Sequence, residues 1–296
     1  MRSEGGDRDV LQRFLFERTN VRGGLVHLDA TWQAVLERHD YPPLIRDLLG
    51  QAMAAAVLLS TTIKFGGSLT IQLTGQGPLS MLVVQASAGR TLRGLAHWRE
   101  SLPASGRLDE LAGDARLVIT IDPGEGRERY QGIVPVEGEA SLAGALASYF
   151  RQSEQLETRL WLAADEHRAA GMLLQSLPGE TEDADAWDRT THLGTTLTDG
   201  ELLSLDHREI LRRLFHEEDV RLFETEPVSF RCGCSRERIE NVLRGLGYDE
   251  VTDILREEGQ VKVGCEFCNQ QYFFDAVDVE QLFAASAQPQ VPTTRH

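Results

Sequence analysis

Cys232-Gly233-Cys234 and Cys265-Glu266-Phe267-Cys268 contain the only four cysteines of a 296-residue chain, with thirty residues between the two pairs. In a Cys-x-x-Cys turn two thiolates can meet one ion while the backbone amides point at the sulfurs, and two such pairs close a tetrahedral site for Zn²⁺. The spacing predicts a zinc-binding module over residues 232–296, with Cys232, Cys234, Cys265 and Cys268 as its ligands. One feature departs from an ordinary zinc ribbon: a single residue separates the first pair, and sulfurs crowded in this way can collapse into a local disulfide once the metal leaves. Thiolates held by zinc stay nucleophilic and open to peroxide or hypohalous oxidants, so both pairs are candidates for a redox switch. A purely structural zinc knob satisfies the same spacing. A structural disulfide framework fits less well, because nothing marks the chain as secreted.

Around the cysteines, Ser235 is placed to cap a helix with apolar Ile239, Val242, Leu243 and Leu246 at helical spacing before Gly247. Val251, Ile254 and Leu255 predict a second helix ending at Gly259. Strands are expected at Gln260 to Val263 and Gln271 to Phe274, flanking the Cys265 turn, and a final helix at Val279 to Ala284. About 55 residues bury little core, so metal ligation, on the order of 10 kcal/mol, supplies much of such a module's stability. The tail from Ser286 to His296 reads as disordered.

Upstream, residues 179–231 carry fourteen acidic residues against six arginines, a net of −8 and half the charge of the whole protein. Thr198-x-x-Glu201 has the form of a capping box, and Leu202, Leu203, Leu205, Ile210, Leu211, Leu214 and Phe215 form a helical stripe. Glu217, Glu218, Asp219, Glu224 and Glu226 crowd the end of this stripe, where a helix dipole disfavours negative charge. The segment reads as a marginally stable helical linker whose acids repel one another.

Residues 1–178 read as an α+β domain. An amphipathic or strand element over residues 10 to 29 leads to a helix from Thr31. A second helix, Leu44 to about Lys64, is apolar on nearly all sides through Leu48–Leu59 and must be buried. The period then changes to two: Leu69, Ile71 and Leu73 alternate with Thr70, Gln72 and Thr74, and strands are expected at Met81 to Gln85, Arg90 to Leu95, Arg116 to Ile121 and Tyr130 to Val136. A turn is expected over Asp122-Pro123-Gly124-Glu125-Gly126. Ser141 to Gln155 reads as a helix, and Thr158 to Ala163 with Ala170 to Leu177 as one more hairpin. Helices and hairpins in this order make an antiparallel sheet packed with helices.

Hydrophobic content of 41% and charged content of 26% are those of a globular protein, and the net charge of −16 opposes a broad nucleic-acid surface. Met1 to Asp9 lacks the apolar stretch of a secretory signal, and the longest apolar run, Ala52 to Leu59, is too short to span a bilayer. A cytoplasmic location is expected, with no membrane partner. No Gly-x-x-x-x-Gly-Lys-Ser/Thr loop, Gly-x-Ser-x-Gly elbow or His-Glu-x-x-His occurs, so neither ATP use nor enzymatic activity is expected. His216-Glu217-Glu218-Asp219 reads as a solvated helix end, and four thiolates leave no open position for a catalytic water.

Several motifs resemble the redox-regulated heat-shock holdase family, the thirty-three-kilodalton chaperonins of bacteria. They are the two cysteine pairs with Phe230, Ser235-Arg236-Glu237-Arg238 and Glu266-Phe267-Cys268-Asn269; Tyr149-Phe150-Arg151-Gln152-Ser153-Glu154-Gln155; Leu160-Trp161-Leu162-Ala163; and Arg213-Leu214-Phe215-His216-Glu217-Glu218-Asp219-Val220. The likeness covers about residues 10 to 285, whereas the acidic stretch 180–188 matches no family feature. It implies one zinc on four thiolates in a reduced, inactive state. It also implies that oxidation pairs Cys232 with Cys234 and Cys265 with Cys268, releases the metal and unfolds the module and then the linker. The exposed apolar surface would capture unfolding client proteins without ATP, as a homodimer. The residues alone leave two other readings, a zinc ribbon in a nucleic-acid or ribosome-associated factor and a dithiol oxidoreductase using Cys265 and Cys268.

Overall fold

Alternation along the first strands decides how the fold is layered. In the computed structural model, which describes residues 8–61, 66–99, 101–104, 106–124, 127–179 and 181–284, β1 (Val10–Phe16) and β2 (Val21–Leu28) form a hairpin turned at Arg18, whose φ is 58°. Then come α1 (Ala30–Leu36), α2 (Pro43–Ser60), β3 (Ser68–Gly75), β4 (Leu79–Ser87), β5 (Thr91–Trp98), α3 (Leu108–Ala112), β6 (Ala115–Asp122) and β7 (Tyr130–Pro135). The chain continues through α4 (Leu142–Tyr149), a π-helical turn at Phe150–Glu154, β8 (Thr158–Ala164), β9 (Ala169–Ser176), α5 (Ala186–Gly194), α6 (Asp199–Ser204) and α7 (His207–Phe215). Three short strands follow, β10 (Val220–Leu222), β11 (Glu226–Pro227) and β12 (Ser229–Phe230). The C-terminal elements are α8 (Arg236–Leu246), α9 (Tyr248–Glu258), β13 (Val261–Gly264), β14 (Gln271–Phe274) and α10 (Ala276–Ala284). The chain divides into two compact units, Met1–Arg231 and Cys232–His296.

The first unit has two six-stranded sheets. One runs β10-β1-β2-β9-β8, with β11 also paired to β1; the other runs β12-β5-β4-β3-β6-β7. The expected hairpins form, so the α+β expectation is met. They divide between two sheets, with β9 returning across the chain to pair with β2 from Val21↔Ser176 to Leu28↔Ala169. Helix α2 contacts strands of both sheets and is buried from Leu48 to Ser60 except for Gln51, which explains a sequence apolar all round. It is also long and apolar enough to span a bilayer by length and composition, yet 72% of it is buried inside the fold. Gly50 permits the close approach, because a Cβ there would lie 2.5 Å from Ala164 Cβ. The helix ends at Ser60; the last residues expected of it, 62–64, lie outside the described residues, as do Glu125, Gly126 and the tail 285–296.

Successive side chains of a strand face opposite ways, and each face of the first sheet builds its own core. Leu11, Val26, Leu28, Ala169 and Leu173 join the α2 core. Phe14, Phe16, Leu25, Met172 and Leu174 join Ile210, Leu211, Leu214 and Phe215. The leucine stripe of residues 202–215 is therefore a docked face, with Phe215 set edge-on to Phe16 at 5.0 Å between ring centroids. It is two helices and not one. Leu205 is extended, and Asp206 opens α7 with its own capping box to Glu209, following the Thr198–Glu201 box on α6.

Beyond α7 the acidic segment is extended instead of helical. β10 and β11 lie antiparallel on β1, and β12 lies parallel to β5. Residues 220–230 thus form a strap across the edges of both sheets. Its backbone amides donate to the core: Phe223 to Arg13 O at 3.0 Å, Val228 to Asp9 O at 2.7 Å, and Ser229 to Arg90 O at 3.1 Å. Glu226 locks it in place, taking Arg90 Nε at 2.7 Å and Arg13 Nε at 2.8 Å. Glu218, just before the strap, accepts from Arg189 Nε at 2.6 Å. The acids expected to destabilise this end are in part ion-paired.

Candidate metal centre

The second unit builds its centre on two segments. Ser235 caps α8 by accepting from the Arg238 amide, which starts the helix directly after the first cysteine pair. β13 and β14 pair from Val261↔Phe274 to Gly264↔Gln271 and present the second pair at their turn. That turn closes through Cys265 N to Gln270 O at 2.9 Å and Asn269 N to Cys265 O at 2.7 Å, with Asn269 at a φ of 58°. A buried cluster of Leu243, Val251, Val261, Phe274, Val279 and Leu282 holds α8, α9, α10 and the hairpin together. Six such side chains make a small core. Val242 and Leu246, which share the apolar spacing of α8, are 58% and 53% exposed.

All four sequence-predicted ligands meet. The sulfurs of Cys232, Cys234, Cys265 and Cys268 lie within 4.8 Å of one another, and none is in a disulfide. Cys232 Sγ is 3.6 Å from Cys265 Sγ, and Cys234 Sγ is 3.4 Å from Cys268 Sγ. A tetrahedron with metal–sulfur bonds of about 2.3 Å has edges of about 3.8 Å. The donor set therefore fits a four-thiolate metal ion, with each close edge joining one pair to the other across thirty residues of chain.

The four sulfurs are electrostatically unequal. Burial alone would raise the Cys232 thiol, but hydrogen bonds from the Cys234 amide and from the other three sulfurs outweigh it and bring Cys232 down to about 7. Burial, and hydrogen bonds to Cys234 and Cys232, push Cys268 up to about 12, and burial raises Cys265. A divalent cation at this site would favour the thiolate forms of its ligands.

The supporting contacts of two residues, Tyr272 and Arg236, escaped sequence reading. The Tyr272 hydroxyl donates to Cys234 Sγ at 3.2 Å, and this bond, more than burial, pushes the phenol up to about 12. Arg236 donates to Phe273 O at 2.9 Å, pairs with Asp278 at 2.9 Å and lies 4.2 Å from the Phe274 ring centroid, so it ties α8 to β14 and α10. The register of the hairpin places Tyr272 opposite Val263, and the folded structure shows that its hydroxyl reaches sulfur.

Fold and site define a two-unit α+β protein whose C-terminal module brings four cysteines into position to hold a metal ion. The chain matches the model of the Hsp33 protein family over residues 9–275 and belongs to that family. It is 55% identical over 290 residues to the 33 kDa chaperonin of Nitrosococcus oceani, covering 98% of this chain and 99% of that protein. It is 46% identical over 298 residues to the 33 kDa chaperonin of Pseudomonas syringae pv. tomato, covering 98% of each. The crystal structure of the 33 kDa chaperonin of Thermotoga maritima superposes with a TM-score of 0.82 at 24% identity, over 94% of this chain and 99% of that one, and so shares the fold.

Proposed function

We propose that this chain is a redox-regulated, ATP-independent holdase, kept inactive while Cys232, Cys234, Cys265 and Cys268 together hold one Zn²⁺. The observation that carries this reading is the convergence of four sulfurs, none in a disulfide, in a unit whose own core is so small. Bound there, the ion supplies a cross-link between two distant segments and favours the thiolate forms. Peroxide oxidises each pair: the two sulfurs lose two electrons, one peroxide takes these with two protons and leaves as two waters, and the disulfides Cys232–Cys234 and Cys265–Cys268 form. Disulfide sulfurs are not thiolate ligands, so the cross-link is lost and the module loosens.

Cys232 follows Phe230, the last residue of β12, by two positions, so disorder starting at the cysteines reaches the strap first. The strap and then α7 detach, which uncovers Phe14, Phe16 and Leu25 on β1 and β2 together with the leucine stripe. Unfolding client proteins are captured on this apolar surface. The active form is a homodimer working in the cytoplasm, and no step uses ATP, nucleic acid or a membrane.

The test starts from reduced, zinc-loaded protein treated with peroxide under mild heat, with metal and free thiols counted per chain. Light scattering from a thermally unfolding client is followed without nucleotide. Loss of metal and thiols together with suppressed scattering is expected. Retained metal, or unchanged scattering after complete oxidation, would contradict the proposal.

A further inference from the structure

The strap is held to the core in a manner that specifies what would replace it. Its strands are very short, and their side chains are half-buried or exposed throughout: Val220, Glu226 and Phe230 are half-buried, whereas Arg221, Leu222, Pro227 and Ser229 are exposed. Much of what joins it to the sheets is backbone, beside the Arg221–Glu17 ion pair at 3.0 Å and the Arg13 guanidinium 5.4 Å from the Phe223 ring centroid. Besides the bonds from Phe223, Val228 and Ser229, the Arg231 amide donates to Leu92 O at 3.0 Å, and the Glu17 amide of the core donates back to Asp219 O at 2.8 Å. An edge that pairs through main-chain groups selects extended conformation and is nearly indifferent to sequence. Among the strap's side chains, Val228, buried at 4% exposure, Glu226 between its two arginines, and Phe230, 4.4 Å from the Arg38 guanidinium, add holds that a foreign chain would lack.

Among the described residues β1 is bounded on one side by β2 and on the other by the strap, and β5 likewise by β4 and the strap. Detachment therefore frees two strand edges at once, antiparallel-pairing on β1 and parallel-pairing on β5. Next to the β1 edge lies the aromatic face of Phe14 and Phe16.

We infer that the outer edges of β1 and β5 are the client-binding template, and that an unfolding protein is taken up by adding an extended segment in the place the strap leaves. The strap is then a resident substitute for a client. This inference rests on the holdase reading and deepens it, by assigning recognition to backbone hydrogen bonds with adjoining apolar contacts instead of to the apolar surface alone. It explains how one surface would accept many sequences, since extended backbone is common to all of them.

The test uses full-length oxidised protein and a fluorescent unfolded client, with synthetic peptides of residues 219–231 as competitors. One peptide is unmodified; the other has the same side chains but N-methyl groups on the amides of Phe223, Val228, Ser229 and Arg231. The unmodified peptide is expected to displace client at a concentration at least about tenfold below the methylated one, because four donors are lost. Equal potency, or no displacement by either, would overturn the edge assignment. A second readout is hydrogen exchange at Glu17: protected when reduced, open when oxidised, and protected again under saturating client. An amide that stays open with client bound would also overturn it. Capture of client by the oxidised protein is measured first without peptide, and its absence would remove the holdase reading itself, which separates the two failures.

Discussion

Tyr272 donates its hydroxyl hydrogen to Cys234 Sγ across 3.2 Å, joining β14 to the first cysteine pair. A donor to a ligating sulfur favours the thiolate and orients it, and losing such a partner costs about 10-fold or more in metal affinity. Tyr272→Phe is expected to weaken zinc binding by about that factor, with little change in the circular dichroism of the zinc-loaded protein. Competition with a chromophoric chelator measures it. Unchanged affinity would mean that the hydroxyl plays no part in holding the site.

Cys268→Ser removes one corner of the tetrahedron and leaves a three-sulfur site. Metal binding supplies stability on the order of 10 kcal/mol to small modules of this kind, far more than six buried side chains leave in hand after chain entropy. Reduced C268S is therefore expected to contain less than one metal ion per chain and to show rapid amide exchange across α8 and α9. Full metal occupancy with normal protection would contradict this.

Glu226 and Glu217 carry the same charge and should respond in opposite ways. Although burial opposes it, pairing with Arg90 and Arg13 holds the Glu226 carboxyl below the usual carboxylate range, so Glu226→Gln should loosen the strap by about 1–2 kcal/mol. Lower oxidant or heat should then suffice for activation. Glu217 is 88% exposed beside His216, and Glu217→Gln should leave the threshold unchanged or raise it slightly. The dose of peroxide that gives half-maximal client capture compares them. A group with a lowered folded pKa stabilises above its ordinary pKa of 4.5 and loses that contribution as pH falls through the lowered value, so the strap is expected to weaken only below about pH 4.5.

His207 opens α7 and stacks on His27 of β2 with ring centroids 4.5 Å apart. Burial, reinforced by His27 and opposed by Asp206, lowers its pKa to about 3. The folded state holds this imidazole neutral while the unfolded chain protonates near 6.5. Docking of α7 is thus fully stable above about 6.5 and weakens progressively as pH falls towards 3. The denaturation midpoint of the reduced protein should drop with acidification across that window. His207→Phe, which keeps a ring against His27, should flatten the dependence, and an identical slope in both proteins would contradict the assignment.

The four-cysteine cluster was legible because the spacing of the pairs is a local property: two cysteine pairs, a capping serine and a hairpin turn need no long-range knowledge. Period-two alternation likewise marked β3 through β7, and Thr198 with Glu201 marked the start of α6. What could not be read was partnership. Nothing in Ala170 to Leu177 states that it returns to β2, so one expected sheet proved to be two. Asp206-x-x-Glu209 was a readable second cap, overlooked within a continuous leucine stripe. Strands of two or three residues such as β10 to β12 are too short for periodicity to detect, and their acids looked repulsive until Arg13, Arg90 and Arg189 arrived from distant parts of the chain.

Amide hydrogen exchange over residues 220–230, compared with α2 over 43–60 in the same full-length sample before and after the four thiols are oxidised, tests most directly whether the cysteine site governs the rest of the molecule. The expected result is that the strap passes from protected to freely exchanging as metal is lost, while α2 stays protected. A strap that keeps its protection in fully oxidised, metal-free protein would show that the sulfurs do not control it.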